Sequence, residues 1–235
     1  PKTAWPPTSL DCLRQHGIVI DKEWDGSYRI PGNQHYRSGT YVVEGDYSQA
    51  AFWLSAGSLG RAICCTGLRS KSSQGDEVIV SLIRDMGGQV EGKTELTACP
   101  SELTGRVIDV EDCPDLVPVL TVLASCAKGI TRIIHAGRVR LKECDRLHAM
   151  ATELNKIGGD IEEEDEGLII HGVGGFTGGT VNGWNDHRIA MALAVASQRC
   201  SQPLRIEGAE CVRKSYPEFW QDFQALGGII QKEGE

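Results

Sequence analysis

The residues best suited to chemistry crowd into one stretch, Arg138-Val139-Arg140-Leu141-Lys142-Glu143-Cys144-Asp145-Arg146-Leu147. It stands at the start of an amphipathic helical pattern, where free backbone N–H groups and the helix dipole attract anions. Lys142 lies four residues before Arg146 and Glu143 three before it, so all three are expected on one rim of the first turn. A solvated basic loop with an intrahelical Glu–Arg pair accounts for the same run when it is read alone. A second charged group, Asn185-Asp186-His187-Arg188, directly precedes the apolar Ile189-Ala190-Met191-Ala192. Asp186 is suited to cap that helix. His187 and Arg188 have no evident structural task, and the planar fork of arginine suits carboxylates and phosphates. A third group, Cys211-Val212-Arg213-Lys214-Ser215-Tyr216-Pro217, again precedes a helix. There Pro217 is ordinary first-turn punctuation, and Lys214 is either a ligand-seeking cation or a surface lysine.

What must position these groups is legible as an internal repeat. Met86-Gly87-Gly88, Ile157-Gly158-Gly159 and Leu226-Gly227-Gly228 each end an amphipathic helical pattern, and the first glycines lie 71 and 69 residues apart. A weaker copy, Gln15-His16-Gly17, comes 70 residues before Gly87. Asp46, Asp115 and Asp186 open nearly all-apolar helical stretches, 69 and 71 residues apart. A period near 70 means copies of one supersecondary unit, larger than a solenoid repeat and so packed about a common centre. Each unit reads helix, strand, helix, strand, strand. The helices are expected at 46–59 and 75–86, at 115–127 and 144–157, and at 186–197 and 218–226. The strands are expected at 62–66, 130–135, 160–163, 167–171 and 204–207. Residues 1–43 carry the end of a fourth unit: a helix over 9–16 and strands over 18–21, 28–30 and 40–44. The first helix of each unit is apolar on all sides and belongs inside; the second is amphipathic and should coat the outside. The fold class is therefore α/β with a pseudo-threefold arrangement. Such an arrangement brings equivalent helix mouths to one face, and with them Asp115, Lys142, Glu143, Arg146, His187, Arg188 and Lys214. Four or five cations about two carboxylates suit a multiply phosphorylated or carboxylated ligand and acid–base chemistry.

Composition narrows the partners. With 40% hydrophobic and 24% charged residues the chain is an ordinary globular protein, long enough for a well-buried core. Its formal charge of −8 argues against nucleic acid or an anionic membrane as the main partner. Nine cysteines, an odd number without a C-x-x-C pair, suggest reduced thiols and a cytoplasmic setting, with Cys64, Cys65, Cys126 and Cys200 in apolar context. No apolar run approaches the roughly 18–20 residues of a membrane span. The abrupt opening Pro1-Lys2-Thr3-Ala4-Trp5-Pro6-Pro7 suggests a piece of a longer or split protein. Gly172–Gly179 lacks the strand-before, helix-after context of a dinucleotide loop and reads as a flexible turn. Lys71–Asp76 reads as a helix cap, and the acidic turn Glu162–Glu166 as solvated. The six histidines follow no ligand spacing, so neither metal nor cofactor is indicated.

Taken together the clusters resemble the enolpyruvyl transferases, and within them the 5-enolpyruvylshikimate-3-phosphate synthase family. Arg140–Leu147 is similar to that family's R-x-K-E-[ST]-D-R-L signature, with Cys144 in place of the usual Ser or Thr. Asn185–Met191 is similar to its N-D-H-R-x-A-M, and Gly45–Ala51 and Lys214–Pro217 match further segments in the same order. The resemblance implies two domains, each of three βαβαββ units with buried helices. Residues 1–43 would be the tail end of the first domain and 44–235 the second. It further implies transfer of the carboxyvinyl group of phosphoenolpyruvate to the 5-hydroxyl of shikimate 3-phosphate, with release of phosphate. On that pattern Asp115 accepts the hydroxyl proton, and Glu143 protonates the methylene carbon and later removes a proton. Lys142 contacts shikimate 3-phosphate, while Arg146, Arg188 and Lys214 hold phosphoenolpyruvate with His187 in support. Arg138 is given no role. The amino-terminal half of the enzyme would be a required partner, leaving this chain inactive alone. The alternatives are a non-catalytic anion-binding half and a UDP-N-acetylglucosamine enolpyruvyl transferase, against which the K-E-C-D-R and N-D-H-R motifs argue.

Overall fold

The computed structural model describes residues 7–231; the expectations placed on 1–6 lie outside the described residues. Helix α1 (Pro7–Gln15) leads to a short antiparallel pair, β1 (Asp21–Lys22) and β2 (Tyr28–Arg29). The first unit then runs α2 (Tyr47–Leu59), β3 (Ile63–Cys65), a 3-10 turn at Gly75–Val78 continuing as α3 (Ile79–Asp85), β4 (Gln89–Glu91) and β5 (Leu96–Cys99). The second comprises β6 (Val107–Asp109), a 3-10 turn at Pro114–Leu116 leading into α4 (Val117–Cys126), β7 (Ile130–Ile134), α5 (Arg146–Lys156), β8 (Asp160–Glu164) and β9 (Gly167–His171). The third comprises β10 (Gly179–Asn182), α6 (His187–Ser197), β11 (Leu204–Glu207), a 3-10 turn at Ala209–Lys214 and α7 (Phe219–Ala225).

Helices α2, α4 and α6 pack on one another at the centre, as their all-round apolarity requires. Three of their buried hydroxyls bond back along the helix, Ser58 to Leu54 O at 2.9 Å, Thr121 to Val117 O at 2.8 Å and Ser125 to Thr121 O at 2.9 Å, whereas the Ser55 hydroxyl has no partner among the described residues. The sheets wrap this core. In the second unit the order is β6-β7-β9-β8, with β6 parallel to β7 and the other pairs antiparallel. The first unit shows β3-β5-β4, all antiparallel, and the third the parallel pair β10-β11. Each sheet is thus a subset of the second unit's pattern, and the repeat read from sequence is a repeat of structure.

The doubled glycines have one physical cause. Gly87, Gly158 and Gly227 adopt φ of 95°, 93° and 100°. The following N–H then closes a six-residue bond: Gly88 to Ile83 O at 2.8 Å, Gly159 to Leu154 O at 2.9 Å, Gly228 to Phe223 O at 2.8 Å. The first glycine supplies the left-handed step. The second leaves no room for a side chain, since a Cβ would sit 2.7–2.9 Å from the same three carbonyl oxygens.

Several expectations change. Lys142, Glu143 and Cys144 precede α5 instead of forming its first turn, because Asp145 caps the helix by accepting from the His148 N–H. Asp115 is not a cap; it lies in the 3-10 turn ahead of α4, its side chain free for ion pairing. The strand at 40–44 does not form, and Val42 and Val43 are 96% and 91% exposed. One rung marks its place, Gly45 N–H to Gly67 O at 2.8 Å, the counterpart of Val110 to Ile134 and Gly183 to Glu207. A strand needs a ladder along its length, and a single rung does not make one. Among the cysteines expected to be buried, Cys64 is exposed because alternate residues of β3 face outward. Cys65, Cys126 and Cys200 are half-buried, and all nine thiols are free. Gly172–Gly179 is anchored by the buried Phe176, whose N–H reaches Arg199 O at 2.8 Å. In Lys71–Asp76, Gln74 caps the neighbouring helix, accepting from the Tyr47 N–H. Within the acidic turn Glu163 and Glu164 are not merely solvated: they pair with Arg140 and Arg132. Arg140 also pairs with Asp145, so this arginine ties the approach to α5 onto the β8–β9 hairpin.

Candidate functional site

The mouths of the buried helices and of α5 converge, and one guanidinium organises them. Arg146, at the start of α5, has a side chain only 1% exposed. Its Nε donates to Asp186 Oδ2 at 2.7 Å, Nη1 to Asp115 Oδ1 at 2.8 Å, and Nη2 to Glu143 Oε2 at 2.6 Å. Each nitrogen is therefore committed to a carboxylate. Burial disfavours the charged guanidinium, but Asp186, Glu143 and Asp115 outweigh that and raise its pKa.

Asp115 is the second centre. Beyond Arg146 it meets Lys142 Nζ at 3.2 Å through Oδ1 and Arg188 Nη2 at 3.3 Å through Oδ2. Burial pushes its pKa up, yet Arg188, Lys142 and Arg146 together hold it below the usual carboxylate value. It is ionised at neutral pH. Asp186 is a third carboxylate in a site expected to hold two. It caps α6 through the Arg188 N–H at 2.8 Å, takes the Cys144 thiol at 3.6 Å, and carries Arg146 on its outer oxygens. One residue thus serves the local cap and the distant ion pair.

His187 and Arg188 leave polar atoms unused. His187 Nδ1 and Arg188 Nη1 are buried and have no hydrogen-bond partner among the described residues. The nearest carboxylate oxygens to that His187 nitrogen are Glu143 Oε1 at 3.8 Å and Asp186 Oδ1 at 3.9 Å, both beyond bonding distance. Burial lowers the His187 pKa, Arg188 adds to the effect, and the imidazole is neutral at pH 7. The unmet guanidinium donor of Arg188 is what an incoming anion would satisfy. Lys214 stands at the end of the cluster, its Nζ donating to Asn185 O at 2.5 Å. The structure therefore brings Asp115, Lys142, Glu143, Arg146, His187 and Arg188 into one network and joins Lys214 to it through a backbone carbonyl.

Two groups of this neighbourhood carry no sequence motif of their own. Asp76 sits 70 residues before Arg146, the equivalent helix mouth of the first unit. It is buried, takes a hydrogen bond from the Ser48 hydroxyl, and lies within electrostatic reach of Arg188 and Asp115. Burial raises its pKa against the pull of Ser48 and Arg188. The repeat period was the signal that could have found it. The other is Glu153, fully buried two turns beyond Arg146 on the same face of α5, which grips the turn before Asp186. A cavity of about 600 Å³ lined by Tyr47, Gln74, Glu77, Arg84 and Lys93 shares none of the network's residues.

Residues 7–223 match the family described as EPSP synthase (3-phosphoshikimate 1-carboxyvinyltransferase). The chain belongs to the EPSP synthase family. It is 52% identical over 225 residues to the 3-phosphoshikimate 1-carboxyvinyltransferase of Clostridium kluyveri, a match covering 95% of this chain and 53% of that protein. The same enzyme of Clostridium acetobutylicum is 49% identical, with 95% and 52% covered. The solved EPSP synthase of Acinetobacter baumannii superposes with a TM-score of 0.82 at 28% identity, over 93% of this chain and 54% of that one. The chain thus spans about half the length of the relatives it matches. Membership in this family carries the expected α/β architecture. No helix among the described residues is long and apolar enough to cross a membrane.

Proposed function

We propose that this chain supplies one face of a 3-phosphoshikimate 1-carboxyvinyltransferase site, with residues 44–235 as its second domain and 1–43 as the tail end of the first. The observation that carries the reading is the pair of carboxylates on one guanidinium: Asp115 and Glu143 occupy the two terminal nitrogens of Arg146. Two proton-transfer groups held side by side are what addition followed by elimination requires.

In this reading Asp115 accepts the proton of the shikimate 5-hydroxyl as its oxygen bonds to C2 of phosphoenolpyruvate. Glu143, protonated for this step, delivers its proton to the methylene carbon. In the reverse sense Glu143 then removes a proton from the new methyl group, and the C2–O bond to phosphate breaks with its electron pair. Asp115 is ionised, as a base must be, although three cations weaken it. An anionic substrate that draws Lys142 and Arg188 onto itself would restore its basicity. Arg188 has an unused Nη1 for the phosphoenolpyruvate carboxylate or phosphate, with Lys214 and His187 beside it and Lys142 toward shikimate 3-phosphate. Arg146 enters as the frame that aligns the two carboxylates; its contact with phosphoenolpyruvate requires exchange of a carboxylate partner. The remaining contacts and the exclusion of water would come from the other half of the enzyme, the chain's partner in this proposal.

The test is phosphate release from phosphoenolpyruvate and shikimate 3-phosphate by this chain alone and mixed with a separately made amino-terminal half. Activity only in the mixture is expected. Robust release by the chain alone would overturn the need for a partner, and none in a mixture shown to associate would overturn the assignment.

A further inference from the structure

We propose that Glu153 is a positioning residue: its buried carboxylate clamps the turn that aims His187 and Arg188 into the ion network. This rests on the reading of that network as an anion site, and it names the part of the fold that shapes it.

The turn needs a clamp. Trp184 and Asn185 both adopt left-handed backbone, with φ of 52° and 50°, directly before Asp186. Neither residue is glycine, so successive left-handed steps are disfavoured unless the surroundings impose them. Glu153 imposes them from inside α5. Its side chain is 1% exposed, and its oxygens accept from Trp184 Nε1 at 2.7 Å and from the Asn182 N–H at 3.0 Å. Lys156 Nζ neutralises it at 2.8 Å. The Asn182 side chain closes the turn by accepting from the Trp184 N–H at 2.6 Å, and His148 packs edge-on against the indole. The carboxylate therefore grips the turn by backbone on one side and side chain on the other.

What the turn delivers is the site. It sets the Asp186 cap, hence the direction in which α6 presents His187 and Arg188, and it presents the Asn185 carbonyl to Lys214. Glu153 touches none of the groups that would meet a ligand. It acts through Trp184 and Asn182.

Glu153→Gln keeps the shape but sets an amide NH₂ against one of two donors, the Asn182 N–H or the indole N–H. Trp184→Phe removes one of those donors and keeps the ring. Both variants of the 235-residue chain are to be compared with wild type in three measurements: melting temperature, His187 titration by NMR, and the dissociation constants of inorganic phosphate and of phosphoenolpyruvate. His187 is faced by Asp186, Glu143, Arg188 and Arg146, so its titration reports the geometry of the mouth without any ligand. Both variants are expected to let the His187 pKa rise toward its ordinary value, and Glu153→Gln to weaken anion binding about tenfold, as small misplacements do. A lower melting temperature with the His187 titration unchanged in both variants would overturn the proposal. Should Glu153→Gln fail to fold, the Trp184→Phe titration decides alone. A wild-type chain that binds neither anion would sink the anion-site reading, while the His187 titration would still judge the clamp.

Discussion

Replacing Arg146 by methionine tests whether one guanidinium holds the site together. Methionine fills much of the same volume with apolar atoms, so the cavity contribution is small and the charge contribution dominates. The three carboxylates do not suffer equally. Glu143, 37% exposed, turns to water, and Asp115 keeps Lys142 and Arg188. Asp186 is 0% exposed and retains only the Arg188 N–H and the Cys144 thiol. Uncovering one partner of a fully buried pair costs about 3–5 kcal/mol, and with Arg146 at 1% exposure solvent screening does not reduce it. Arg146→Met is therefore expected to lose about 3–5 kcal/mol in reversible urea denaturation at pH 7. Asp186→Asn removes the charge and keeps the cap, since asparagine caps as well as aspartate. The double variant should then recover much of the loss, giving a coupling of about 2 kcal/mol or more. A loss below about 1 kcal/mol for Arg146→Met, or single effects that add within about 0.5 kcal/mol, would refute the hub.

Two further outcomes follow from the same network. Because the Asp115 pKa is lowered in the folded state, its contribution is fully present above the unfolded value near 3.9 and is lost as pH falls through the lower folded value. Stability curves from pH 5 to pH 2 should accordingly fall less steeply in Asp115→Asn than in wild type; parallel curves would contradict the assignment. In the complemented enzyme, Glu143→Gln should lower turnover roughly 10²–10⁴-fold while changing KM little, and steady-state kinetics showing weakened binding at near-normal turnover would make Glu143 a binding group instead.

What the sequence determined by itself was everything that depends on neighbours a few residues away. Apolar patterns at 47–59, 117–126 and 187–197 dictate buried helices because no face of them tolerates water. Gly-Gly pairs end helices wherever they occur, because the left-handed step and the six-residue bond are local geometry. The Asp186 cap is legible for the same reason, as is Asp46 at the opening of an apolar helix, and the repeat points to helix mouths that share a face. Tertiary structure decided the rest. That Asp186 is both cap and ion-pair partner, that Asp115 serves an ion pair, and that Asp76 joins the cluster depend on groups 28 to 112 residues apart meeting in a buried setting. Residues 40–44 show the converse: their pattern is that of a strand, but strand formation needs a partner ladder, and one rung at Gly45 is all the described residues supply. Glu153 is the sharpest case. On its helix it is one more acidic residue in an amphipathic pattern. Only the packing of α5 against the β10–α6 turn buries it and sets it against two N–H donors, and burial is what gives a carboxylate the leverage to hold a backbone turn.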